Sequence, residues 1–156
     1  MSETDSSGKG PRVKPRAIVA GHGDFAAGLV SAVQQITGRG NMFRTISARD
    51  LSASDLEALL RRSIEETGVS VVFTDLQAGS CTMATRRYLK DRGDVLLVAG
   101  VNLPMLLDFV MADQLAPVQA AQHALDRGRA AIGAMGGLPR NAGGSGGSSG
   151  GGGSAA

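Results

Sequence analysis

Short apolar runs alternate with helix-length amphipathic stretches through most of this chain, and that alternation restricts its possible folds more than any other feature. Ala17-Ile18-Val19-Ala20 is the first apolar run, and Asp24 to Thr37 then sets Phe25, Leu29, Val33 and Ile36 on one helical face. Met42 to Ile46 is a weaker strand pattern. Ser52 to Glu57 contains two overlapping capping boxes, Ser52 with Asp55 and Ser54 with Glu57. The helix they open carries Leu56, Leu59, Leu60 and Ile64 opposite Arg61, Arg62, Glu65 and Glu66. Val69 to Phe73 is continuous and mostly β-branched, as a strand covered on both faces should be, and Asp94 to Ala99 repeats that character. Ser80 to Lys90, Leu103 to Met111 and Pro117 to Arg127 read as helices. Asn102 caps the second of these, and Pro104 is tolerated in its first turn. The order β-α-β-α-β-α-β-α predicts an α/β fold: an open parallel sheet with helices on both faces, joined by right-handed crossovers.

Composition sets the frame around that core. The 156 residues are enough for one domain. Residues 1–14 are small, polar and charged, and are expected to be a disordered leader. Residues 15–136 form the expected domain, and residues 137–156 a Gly/Ser-rich flexible tail, either a natural linker or an appended one. A formal charge of +2 and an aromatic share of 3% argue against nucleic acid as a partner. Part of the basic excess is Lys9, Arg12, Lys14 and Arg16 in and beside the leader. Cys81 is the lone cysteine, which forbids an intrachain disulfide and fits a reducing compartment. No apolar stretch approaches a membrane span, so a cytoplasmic protein is expected. The sequence has no His, Cys and carboxylate cluster at metal-ligand spacing, and neither metal nor cofactor is expected.

Three segments lie just past predicted strands: Gly21-His22-Gly23, Thr74 to Ser80, and Gly100-Val101-Asn102. In a parallel sheet these loops gather at one edge, where open α/β folds bind ligands beside helix N-termini. That edge would bring His22, Asp75 and Ser80 together. A carboxylate accepting one imidazole N–H fixes the tautomer and leaves the other nitrogen free to attack. The N–H groups after Gly23 and around Ser80-Cys81 open helices and suit a phosphoryl group. The residues alone leave two readings open: His22 as a nucleophile, or His22 as an exposed loop residue with Asp75 capping the turn after it.

Ile18-Val19-Ala20-Gly21-His22-Gly23, Thr74-Asp75-Leu76 with Gly79-Ser80, and Ala99-Gly100-Val101-Asn102-Leu103-Pro104-Met105-Leu106 together resemble the mannose-family enzyme IIA domain. That domain belongs to the bacterial phosphoenolpyruvate-dependent sugar phosphotransferase system. The resemblance spans Ala17 to Met135. It implies a flavodoxin-like sheet in a homodimer, with an extra antiparallel edge strand exchanged between subunits, here Arg129 to Met135. It implies that His22 takes a phosphoryl group from the phosphocarrier HPr and passes it to an enzyme IIB, with Asp75 holding the histidine and Ser80 beside the phosphoryl. Contact with the membrane would then be indirect, through the sugar permease components. The chain departs from the family between Asp75 and Ser80. Members commonly carry an aromatic and a second glycine there, followed after the Gly-Ser by proline, where this chain has Gln77, Ala78 and Cys81. Ala78 would crowd the turn if its φ were positive, and Cys81 keeps an N–H that proline lacks.

The phosphoryl-binding set is therefore Gly23, Ser80 and Cys81, with Arg86, Arg87 and Asn102 as a partner surface. The Cys81 side chain reads as a small core residue or as a reactive thiol at a helix N-terminus, and His123 as a polar-face residue of the last helix. Two other functions fit the same module: the phosphotransfer subunit of a dihydroxyacetone kinase, and a regulatory phospho-sensor uncoupled from transport. A nucleotide binder fits poorly, because neither a Gly-x-Gly-x-x-Gly spacing nor a Gly-Lys-Ser/Thr cradle follows the first strand.

Overall fold

The structure is a computed structural model that describes residues 13–137. The expected leader and tail therefore lie almost wholly outside the described residues. Nine main elements run in the order β1 (Ala17–Gly21), α1 (Phe25–Thr37), β2 (Phe43–Ser47), α2 (Ala53–Thr67), β3 (Val71–Thr74), α3 (Ser80–Leu89), β4 (Leu96–Ala99), α4 (Leu103–Met111) and α5 (Pro117–Ala130). All strand pairs are parallel and the sheet order is β2-β1-β3-β4. The chain thus reverses its direction of travel across the sheet between β1 and β3. In doubly wound folds that switch point is where a crevice opens at the carboxyl ends of the strands.

Alternation along each strand divides the core in two. Ala17 and Val19 of β1 and Val71 and Phe73 of β3 face α1, α4 and α5, where they meet Val33, Leu106, Phe109 and Val110. Ile18, Ala20 and Val72 face the opposite way, onto Leu56, Leu60 and Ile64 of α2 and Cys81 and Ala84 of α3. Both faces of the central strands are dry, which is why their sequences are apolar at successive positions instead of alternating.

Local chemistry accounts for the starts of two helices. Ser52 caps α2 by accepting the Asp55 N–H at 3.1 Å and its hydroxyl donates to the Asp55 carboxylate at 2.6 Å, so Ser52 and not Ser54 is the cap, without the backbone bond that would complete the box. Asn102 caps α4, accepting the Met105 N–H at 3.0 Å. Three boundaries differ from expectation by two residues or more. β3 runs from Val71 to Thr74, not from Val69 to Phe73 as expected. β4 begins at Leu96, not Asp94, because Asp94 pairs with Arg92 at 2.9 Å in the turn before it. α5 continues past Arg127, because Gly128 lies in its interior: a Cβ there would stand 2.8 Å from the Met105 side chain, so the small residue allows α5 to pack closely on α4.

Arg129 to Met135 forms no antiparallel strand within the single chain. Arg129 and Ala130 complete α5, and residues 131–137 have no ladder partner, with Ile132 and Met135 exposed. The Arg-Ala-Ala stretch favours helix over strand, and an exchanged strand would find its ladder only on a second copy. Among the described residues no helix is long and apolar enough to cross a membrane.

Candidate functional site

β1 and β3 are adjacent and in register, Ala20 beside Thr74, so the residues that follow them meet at the switch point. Asp75 Oδ2 accepts two bonds from His22, one from its backbone N–H at 2.9 Å and one from ring Nδ1 at 2.7 Å. The other carboxylate oxygen accepts the Leu76 N–H at 2.9 Å. Asp75 is nearly enclosed, its side chain 8% exposed, whereas the His22 side chain is 54% exposed. Burial works to raise the Asp75 pKa; the His22 backbone and ring, together with the Leu76 N–H, more than offset it and hold the carboxyl below its ordinary value. An ionised carboxylate only accepts, so Nδ1 carries a proton, and in the neutral imidazole the lone pair is then on Nε2. Nε2 points outward, with Ser80 Oγ 3.4 Å away, a long and easily displaced contact.

Glycines make that approach possible. A Cβ on Gly21 would stand 2.8 Å from the Phe25 ring and 3.1 Å from Asp75 Oδ2, and one on Gly79 would stand 3.3 Å from His22 Cε1. Ala78 does not have a positive φ, so the departure from glycine there does not crowd the turn.

α1 and α3 both begin at this site and both lack a side-chain cap, in contrast to α2 and α4. The first N–H groups of α3, on Ser80 and Cys81, have no partner four residues back in the helix and suit an anion, and the Ser80 hydroxyl lies beside the imidazole. The Cys81 side chain turns the other way, into the core between α2 and α3. Burial first, then the nearby Asp75 charge, pushes its thiol up to about 11, so it is neither an ionised nucleophile nor a surface group.

The remaining expected site residues lie elsewhere. Asn102 is occupied at both ends of its amide, capping α4 and donating to the Gly128 carbonyl at 2.9 Å. Arg86 and Arg87 are in the last turn of α3, about 9 Å along the helix from Ser80. Arg87 lies 3.7 Å from Glu57 and Arg86 is exposed. His123 pairs with Asp108 at 2.7 Å, between α5 and α4. Among the described residues no group of three or more His, Cys, Asp or Glu side chains is placed to hold a metal ion.

Sequence reading missed Thr74 and Thr82. The buried Thr82 hydroxyl donates to the Leu76 carbonyl and accepts from Thr74, and so clamps the loop that carries Asp75 to the start of α3. It missed Ser47 as well, whose hydroxyl donates to the Gly23 carbonyl at 2.8 Å. Threonine early in a helix and serine at a strand end carry no signal in the sequence that marks such a clamp.

The fold and this edge define a class: a doubly wound α/β domain with a carboxylate-oriented histidine at its switch point. The family model EIIA-man, the PTS system fructose IIA component, matches residues 16–125, and the chain belongs to that family. It is therefore a phosphotransfer component of the sugar phosphotransferase system. Among solved structures it is similar to the mannose/sorbose-specific IIA subunit of the phosphotransferase system from Enterococcus faecalis. Identity there is 24% over 82% of this chain and 98% of that one, with a TM-score of 0.67. A Klebsiella pneumoniae protein assigned as a phosphoenolpyruvate-dependent sugar phosphotransferase system permease is 26% identical over 80% and 93% of the two chains, with a TM-score of 0.68. The EIIA component from Streptococcus agalactiae is 21% identical over 76% and 95%, with a TM-score of 0.68. No curated protein matches the chain.

Proposed function

We propose that His22 accepts a phosphoryl group from the phosphohistidine of HPr and passes it to an enzyme IIB, in the cytoplasm. The observation that carries this reading is the 2.7 Å bond from Nδ1 to Asp75, which in the neutral imidazole leaves the lone pair on Nε2, on a side chain that is 54% exposed. In the forward step the Nε2 lone pair attacks phosphorus in line. The donor N–P bond breaks and its electron pair returns to the donor ring. Asp75 balances the positive charge that develops on the imidazole, and the N–H groups of Ser80 and Cys81 receive the phosphoryl oxygens. Positioning and charge do the work, without a cofactor.

An exposed imidazole suits a protein partner. Phe25, Leu51, Leu76 and Met83 are exposed apolar side chains on the loops and first helical turns at the same edge, and they form an apolar rim that a donor protein would cover. A homodimer is part of the proposal, with β4, one of the two edge strands, receiving residues 129–135 as the exchanged segment.

The test is incubation with phosphoenolpyruvate, enzyme I and HPr, read as an acid-labile mass gain of one phosphoryl. The gain is expected in the native chain and absent in His22→Ala. If a working relay leaves the native chain unmodified, HPr is not its donor. Transfer onward to a IIB, to a dihydroxyacetone kinase or to neither separates sugar uptake from the two alternatives.

Gly79 gives a finer prediction. Its φ of −78° suits alanine, so substitution adds only the Cβ that would press on Leu76, His22 and Asp75 at 3.1 to 3.5 Å. Gly79→Ala is expected to slow phosphoryl acceptance by about tenfold to a hundredfold while leaving the melting temperature near that of the native chain. Stopped-time mass assays and a thermal melt measure the two. An unchanged rate would mean that the ring is free to shift without loss.

A further inference from the structure

Four loops leave the strands at the edge that carries His22: residues 22–24, 48–52, 75–79 and 100–102. Arg49 is the one cation on them, among three carboxylates, Asp24, Asp50 and Asp75. A dianionic phosphoryl group would thus arrive at loops that are already net negative. The loop that holds Arg49 is bolted to the histidine loop. The Ala48 N–H donates to the Gly21 carbonyl at 2.9 Å, Ser47 Oγ donates to the Gly23 carbonyl at 2.8 Å, and the Arg49 N–H donates to Ser47 Oγ at 3.2 Å. Asp50, next in the chain, holds a φ of +57°, the one positive value at a non-glycine among the described residues, a left-handed turn position that Asp tolerates.

The guanidinium lies over Gly23, with Nη2 3.5 Å from where a Cβ on that glycine would stand. Its carboxylate partner is Asp24, at 3.2 Å. Both side chains of that pair are more than half exposed, so water screens the attraction and the pair is easily exchanged. A phosphoryl group offers the same guanidinium two oxygens at once and a larger charge. Gly23, immediately after His22, has no side chain to obstruct the swing.

We propose that Arg49 is a positioning residue that leaves Asp24 and pairs with the phosphoryl group once it is on His22. The inference rests on the phosphocarrier reading. An exposed ion pair thereby becomes a reserve cation: Asp24 holds the arginine at the site while His22 is empty, and the phosphoryl takes it when His22 is charged.

A direct readout is the titration of the phosphoryl group itself. The native chain, Arg49→Gln, Arg49→Lys and Arg44→Gln are loaded with potassium phosphoramidate, whose N–P bond breaks with loss of ammonia, or with phospho-HPr. The ³¹P resonance of phospho-His22 is then followed against pH. A neighbouring guanidinium favours the dianion, so Arg49→Gln is expected to raise the phosphoryl midpoint by about one unit. Arg49→Lys is expected to restore part of that shift. Arg44→Gln removes the same charge at a position on β2 paired with Glu66, and is expected to leave the midpoint unchanged. An unchanged midpoint in Arg49→Gln, or an equal shift in Arg44→Gln, overturns the role of Arg49 while the phosphocarrier reading stands. Failure of the native chain to load on His22 from either donor overturns both.

Discussion

Asp75→Asn is expected to slow phosphoryl gain from phospho-HPr by about 10²–10⁴, with His22 still in place. Asp75 Oδ2 accepts from both the His22 backbone and the His22 ring, while Oδ1 accepts from Leu76. An amide cannot serve all three donors. If its oxygen faces His22, its NH₂ meets the Leu76 N–H, two donors with nothing to accept. If its NH₂ faces His22, the ring is driven to the tautomer whose proton sits on Nε2, and the nucleophilic lone pair is lost. In either orientation the negative charge that balances the developing imidazolium is gone. Single-turnover transfer from phospho-HPr measures the rate, and a fall of less than threefold would show that Asp75 does not control the tautomer.

The same carboxylate predicts a pH dependence. Its folded pKa lies below the ordinary 3.8, so the stability it contributes is present above that value and is lost as pH falls through the lower folded one. The His22–Asp75 bond is therefore intact across the neutral and mildly acidic range in which transfer is assayed.

The largest expected loss of stability comes from Phe73→Ala, about 3–5 kcal/mol. Phe73 is fully buried on β3, one residue from Thr74 and two from Asp75. Its ring meets Phe109 at 5.2 Å in a T-shaped contact and Phe43 at 6.4 Å, so three of the chain's four phenylalanines form one cluster beneath the sheet. Truncation leaves a cavity whose walls are a central strand and α4, neither free to collapse. Urea unfolding is expected to show a lower midpoint at an unchanged slope. A loss near 1 kcal/mol would mean that Phe43 and Phe109 close the space. The fourth phenylalanine, Phe25, is partly exposed at the site, and its removal should bear on partner docking more than on folding.

Much of this was legible in the linear sequence, because the signals involved are local. A buried parallel strand must be apolar at successive positions, so Ala17 to Ala20 and most of β3, Val71 to Phe73, announced themselves. Ser52 and Asn102 cap their helices through N–H groups three residues on, a distance the chain itself sets. Strand ends that share an edge brought His22, Asp75 and Ser80 into one neighbourhood, since a parallel sheet puts every strand's carboxyl end on the same side. The family's own motifs sharpened that neighbourhood into a site.

Other features depend on which elements become neighbours, and no local pattern encodes that. Cys81 and Ser80 are adjacent in sequence, yet one faces the core and the other the imidazole, because α3 packs on α2 along only one of its faces. Gly128 lies just past the helix end read from the sequence and is the close-packing point of α5 on Met105. Arg49 becomes a neighbour of Gly23 only because β2 lies beside β1 in the sheet. What the sequence determined alone was the succession of strands and helices, their caps, and the residue types gathered at the strand ends. What the tertiary structure decided was orientation: which nitrogen of His22 is held, which hydroxyl clamps the Asp75 loop, and which cation stands by. Those outcomes follow from packing and from bonds between segments far apart in the chain, whose strength depends on burial and on a geometry that exists only after the sheet has assembled.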